Sequence, residues 1–136
     1  MLSQAFGSVT EEVALIGLGS SWQFCDTGED LGGSSIVEGI PGFDSQNWKH
    51  PDFDDDLWGT GPAPLGYGSI TGRTLATLVG FGDDTNSKYP TTYFRHSFQV
   101  RGADELDRLT LRSFRDDGVV VYLTVSYTHL TLPTKA

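Results

Sequence analysis

Residues 92–100 read Thr92-Tyr93-Phe94-Arg95-His96-Ser97-Phe98-Gln99-Val100, and their alternation decides the fold class. Phe94, His96, Phe98 and Val100 fall on one side of an extended chain, and Tyr93, Arg95, Ser97 and Gln99 on the other. Successive side chains of a strand point to opposite faces, so this pattern predicts a half-buried β-strand with Phe94 and its companions inward. Further on, Leu109-Thr110-Leu111-Arg112-Ser113 begins a second strand, where Phe114 breaks the alternation as a bulge or twist would. Val119-Val120-Val121-Tyr122-Leu123 is β-branched and apolar enough for a third strand covered on both faces. Between them, Asp116-Asp117-Gly118 tolerates positive φ and is expected to turn a hairpin.

Toward the N-terminus, residues 13–16 and 22–24 are short strand candidates separated by Gly17-Leu18-Gly19. Helical periodicity is confined to one possible turn at residues 103–106. Phe94, Phe98, Leu109, Leu111, Val119 and Val121 are expected to share a core. Short strands joined by loops, without helices, point to an all-β antiparallel β-sandwich.

Residues 26–72 are crowded with Gly, Pro, Asp and Ser, a composition that suggests disorder. The same stretch holds Phe43, Trp48, Phe53, Trp58 and Tyr67. Large rings each bury roughly 150–250 Å². We therefore expect long ordered loops pinned by aromatic side chains, a kind of loop that often carries function.

The 136 residues amount to about one domain, with no internal repeat or linker. Eighteen acidic residues against nine basic ones give a net charge of −9. That balance argues against nucleic acid and against an anionic membrane surface as partners. No apolar run approaches the roughly 20 residues of a membrane span. Cys25 is the single cysteine, which excludes a disulfide framework and a multi-cysteine zinc site. Residues 1–19 place Glu11 and Glu12 ahead of their apolar run, unlike a signal peptide, and read as a lead-in.

Several residues carry chemistry in principle, each beside a simpler reading. Asp52, Asp54 and Asp56 form an alternating acidic run, but the sixth and twelfth positions of an EF-hand would be Leu57 and Ala63, which excludes that loop. A looser structural calcium site stays open beside a second reading, in which these carboxylates cap the turn before Trp58 while Phe53 and Trp58 fill the core. His50, His96 and Asp52 are of the residue types that ligate a metal, beside the simpler reading of His96, on the apolar face of its strand, as a satisfied core histidine. There is no Gly-x-Ser-x-Gly elbow, no histidine close to Cys25 in sequence, and no carboxylate pair singled out for glycoside hydrolysis, so no catalytic residue is assigned. Arg95 suits either a clamp on a ligand carboxylate or hydroxyl, or a tie to a loop carboxylate. Trp48, Tyr67 and Tyr89 are loop rings that serve either as sugar-stacking platforms or as core.

A resemblance follows from the order of the pieces. Trp22 with Asp26-Thr27-Gly28, then Trp48, then residues 51–58, 61–68, 91–95 and 116–123 resemble the galactose-binding-domain-like jelly-roll module of large secreted bacterial proteins. There it accompanies hydrolase, lamin-tail and adhesive domains. The pieces around Phe53 to Trp58 and Tyr93 to Phe98 are also similar to the N-terminal sugar-binding domains of β-galactosidase-type glycosidases. The likeness covers about residues 20–123. It implies an accessory module without catalysis of its own that binds polysaccharide or another glycan. The alternatives are a spacer that orients a neighbouring hydrolase, or the N-terminal part of a glycosidase. On this reading Trp48, Tyr67, Arg95, Asp116 and Asp117 are the ligand-binding candidates, since PA14-type lectins, similar sandwiches, grip calcium and sugar with an Asp-Asp pair. Structural calcium is the one cofactor implied. The other domains of the parent protein are its partners, and its location is extracellular or at the cell envelope.

Residues 125–134 read VSYTHLTLPT, which resembles a translated transposon-type sequencing adapter of the kind that contaminates metagenomic gene models. Residues 124–136 are therefore read as an adapter-derived artefact outside the domain. The expectation that follows is a natural chain cut at Leu123, inside a strand, with the sandwich incomplete at its C-terminus.

Overall fold

A computed structural model of the chain describes residues 1–6, 9–32 and 47–124. Phe43 and the adapter-like stretch 125–134 lie outside these residues. The described chain is all-β apart from one 3-10 turn, Ala103–Glu105, at the place where the sequence allows a single helical turn.

The lead-in is a hairpin. Strand β1 is Leu2–Phe6 and β2 is Val9–Ile16, antiparallel to it. The expected strand at residues 13–16 is the second half of β2. A second sheet starts with β3, Ser21–Cys25, which contains the candidate at residues 22–24. It pairs with β4, Gly59–Pro62, and with β7, Tyr93–Arg95, both antiparallel. Two short strands, β5 (Leu65–Gly66) and β6 (Thr77–Leu78), form a separate parallel pair. The last strand, β8, is Leu106–Leu111 and pairs antiparallel with β1. The described residues thus form two three-stranded antiparallel sheets, ordered β2-β1-β8 and β4-β3-β7, plus the small parallel pair.

The local chemistry explains the pairings. Opposite the rings of Trp22 and Phe24, β4 offers Gly61 and Gly59. A Cβ on Gly59 would run into the Phe24 ring, so glycine lets the aromatic lie flat across its neighbour. In the first sheet, Leu2 sits opposite Ile16 and Leu111, while Ser3 sits opposite Ala14 and Thr110. The Ser3 hydroxyl donates to the Glu12 carboxylate, which lies 3.6 Å from the Arg112 guanidinium. Leu2, Ile16, Cys25, Val79 and Tyr93 are the buried apolar residues among those described, and no large side chain there is wholly shielded. The core is shallow.

Three expectations are corrected. The strand at residues 92–100 stops at Arg95, and at its start the phase is reversed, with Tyr93 buried and Phe94 37% exposed, while His96, Phe98 and Val100 are half-buried between exposed Ser97 and Gln99 as the alternation predicts. Tyr93 wins the inward place because its hydroxyl finds partners there, accepting from the Leu31 N–H at 3.0 Å and facing Asp30 Oδ1 at 3.4 Å. Residues 119–123 form no strand: β8 pairs through one edge with β1, and its other edge, at the end of the order β2-β1-β8, takes no strand among the described residues. None of the six residues expected to share a core is among the buried ones: Phe94, Leu111, Val119 and Val121 are exposed, Phe98 and Leu109 are half-buried, and β7 and β8 lie in different sheets. The turn chemistry between Leu111 and Val119 survives, with Asp117 at φ 68° and its carbonyl accepting from Arg115 Nη1 at 2.7 Å.

Candidate functional site

Antiparallel pairing of Phe24 with Gly59 places the chain leaving β3 beside the chain entering β4. The cleft of about 300 Å³ that opens there is lined by Phe24, Cys25, Asp26, Thr27 and Glu29 from one side and by Asp54, Leu57, Trp58 and Gly59 from the other. A smaller cleft of about 160 Å³ is lined by Gly28, Glu29, Asp30, Pro90, Thr91 and Tyr93. Glu29 lines both, so the two form a continuous acidic margin at one end of the second sheet.

Each wall is held in place. The Asp26 carboxylate accepts the backbone N–H of Gly80. Cys25 is buried, with its sulfur 3.4 Å from the Thr27 hydroxyl. On the other wall, Asp54 Oδ1 accepts the N–H of Asp56 at 3.1 Å and the Asp55 carbonyl accepts the N–H of Trp58 at 2.9 Å. These are the turn bonds that short acidic side chains and backbone make readily. The Trp58 ring meets Phe53 edge-on at 5.7 Å. Phe53 and Trp58 were expected to fill the core together; Trp58 instead lines the cleft and is half-buried.

The five candidates from the sequence are dispersed, and none lines this cleft. Arg95 supports it from behind. Its guanidinium pairs with the Asp55 carboxylate and donates to the carbonyls of His50 at 2.9 Å and Phe53 at 3.3 Å, which ties down the loop that carries Asp54 and Trp58. Trp48 packs edge-on against Tyr93 at 5.0 Å and Tyr122 at 5.7 Å, and its indole N–H has no partner among the described residues. Tyr67 leans on Phe81 at 5.0 Å, with Lys88 Nζ 5.2 Å from its ring centre. Asp116 and Asp117 sit on an exposed segment. Among the histidines, His96 bonds the Ser21 carbonyl at 2.8 Å and tilts against Trp22, as a satisfied histidine should. His50 Nδ1 accepts the N–H of Asp52.

Among the described residues no three His, Cys, Asp or Glu side chains converge to hold a metal ion. No described helix is long and apolar enough to cross a membrane. Asp26, Glu29 and Trp58 are the site residues that sequence reasoning missed. The available signal was the pairing of β3 with β4, which makes residues just after Phe24 neighbours of residues just before Gly59. Compared with protein-family models, curated proteins and solved structures, the chain matches none.

Proposed function

We propose that the chain is a non-catalytic accessory module of a larger secreted protein, built as a galactose-binding-like jelly-roll sandwich, and that it binds glycan in the cleft between β3 and β4. Two antiparallel three-stranded sheets support the architecture. The cleft itself carries the functional reading, since it joins the Phe24 and Trp58 rings to the Asp26, Glu29 and Asp54 carboxylates. Rings offer an apolar face for the C–H side of a pyranose, and carboxylates accept bonds from its hydroxyls. A few polar groups set in a mostly apolar concavity is the usual make-up of a small-ligand site. In this reading Arg95 positions the loop and does not touch sugar.

Retardation of the chain by a panel of soluble polysaccharides in native gels tests the proposal. Trp58→Ala should weaken retardation by about tenfold while the circular dichroism spectrum is kept. If Asp117→Ala and calcium chelation remove retardation and Trp58→Ala does not, the ligand sits at the Asp116-Asp117 turn. No retardation by any glycan favours the spacer reading, which has its own support in the exposed apolar run Val119 to Leu123.

A further inference from the structure

The charge around the cleft narrows the class of glycan, provided that the glycan-binding reading above holds. Among the described residues no lysine or arginine lines either cleft, while Asp26, Glu29 and Asp54 line the larger and Glu29 and Asp30 the smaller. The Glu29 carboxylate accepts no hydrogen bond among the described residues. Asp26 and Asp54 each commit one oxygen to a backbone N–H and keep the other without a partner there. These carboxylates do not converge on a point, since no group of three is close enough for a metal ion among the described residues. They are strung along a margin instead. The same margin holds the Phe24 and Trp58 rings, whose faces attract ammonium groups. Leu57, wholly exposed at the lip, adds apolar surface beside the rings.

We infer that the ligand is a cationic glycan, a polymer of protonated amino sugar, whose ring stacks on Trp58 or Phe24 while its ammonium groups face Glu29, Asp54 and Asp26. A repeating cation matches carboxylates spread along a margin better than a single metal ion does. A uronate or sulfated chain would bring like charge to the same margin and be repelled.

The whole chain is acidic, with a net charge of −9, so attraction from the cleft must be separated from attraction by the surface. Calorimetry with short glucosamine oligomers, with their N-acetylated counterparts of equal length, and with galacturonate oligomers makes that separation. At low salt and mildly acidic pH, the glucosamine oligomer should bind about tenfold tighter than the acetylated one, and the galacturonate oligomer not at all. The pair Glu29→Gln/Asp54→Asn should remove the preference. Asp104→Asn/Asp107→Asn, which deletes the same charge outside the cleft, should keep it. Loss of the preference in both pairs, or its absence in the unaltered chain, overturns the inference. Trp58-dependent binding of the acetylated oligomer with no preference overturns the cationic class and leaves the glycan site standing. Failure of every oligomer to bind overturns both.

Discussion

The ring of Tyr89 lies across the α-carbon of Gly28, in the space a side chain there would need. A Cβ built on Gly28 falls 2.6 Å from both Cδ1 and Cε1 of Tyr89, and the φ of Gly28 is 81°. The loop leaving β3 is thereby held against the segment before β7, and both contribute to the smaller cleft. Gly28→Ala should cost about 2–3 kcal/mol, the sum of a left-handed backbone that disfavours a side chain and a displaced ring. Gly68→Ala is the control: its φ is 76°, yet nothing lies within 4 Å of its Cβ position, so only the backbone cost of about 1 kcal/mol applies. Urea unfolding of the two variants measures the difference. Equal losses would mean that the Tyr89 contact contributes nothing.

Arg95 carries the second prediction. Its side chain is 13% exposed and that of Asp55 20%, so the pair is only partly screened by solvent. Removing the guanidinium strands the Asp55 carboxylate, takes the arginine's bond from the Phe53 carbonyl, and leaves the His50 carbonyl with the Phe53 N–H at 3.1 Å. Arg95→Ala should therefore cost about 2–3 kcal/mol in urea unfolding, and Arg95→Lys most of that, because an ammonium cannot reproduce the planar fork. Asp55→Asn, which keeps an acceptor, should cost about 1 kcal/mol. A near-neutral Arg95→Ala would show that the loop holds itself.

The contrast between Tyr93 and Phe94 shows what the sequence disclosed and what it withheld. Alternation reveals a period but not its phase when both sets contain an aromatic ring. Here a hydroxyl decided the phase by finding Leu31 and Asp30 inside. Strand β1 was illegible for a related reason: Ser3 and Gln4 are 2% and 6% exposed, so polar residues occupy the centre of a sheet where a hydrophobic pattern would be sought. Residues 13–16, 22–24 and the turn at 103–106 were legible because each is a local pattern. The acidic turn at Asp54 was legible too, as an Asx-type bond to Asp56. The cleft was not, since it depends on which strands pair, and pairing is a long-range fact that spacing does not encode.

Tyr93 links the fold to the cleft and supplies a third prediction. Its ring is buried, and its hydroxyl accepts the Leu31 N–H while facing Asp30, which also caps Gly32 at 3.0 Å. Tyr93→Phe should lower stability by about 1 kcal/mol, the usual cost of one hydrogen bond lost with little change of volume. Hydrogen exchange should quicken at Leu31 while the β3–β4 ladder keeps its protection. Unchanged exchange at Leu31 would show that this hydroxyl does not hold the loop.

The last prediction concerns association. Val119, Val120, Val121, Tyr122 and Leu123 are between 52% and 74% exposed, and Phe114 is 70% exposed. Arg73 stacks over Phe114 at 3.3 Å and Lys49 over Tyr122 at 4.1 Å, but the valines have no such cover. No backbone hydrogen bond joins residues 119–123 to another strand among the described residues. A β-branched run without charge or proline, whose N–H and C=O groups join no strand among the described residues, templates pairing between molecules. The net charge of −9 opposes this, and salt weakens the opposition because screening acts over about 10 Å at about 0.1 M. Sedimentation should therefore find oligomers that grow with protein concentration and with added salt. Val120→Glu places a further negative charge on the most exposed valine of the run and should return the chain toward monomer. A chain that stays monomeric across both series would show that this apolar run does not mediate association.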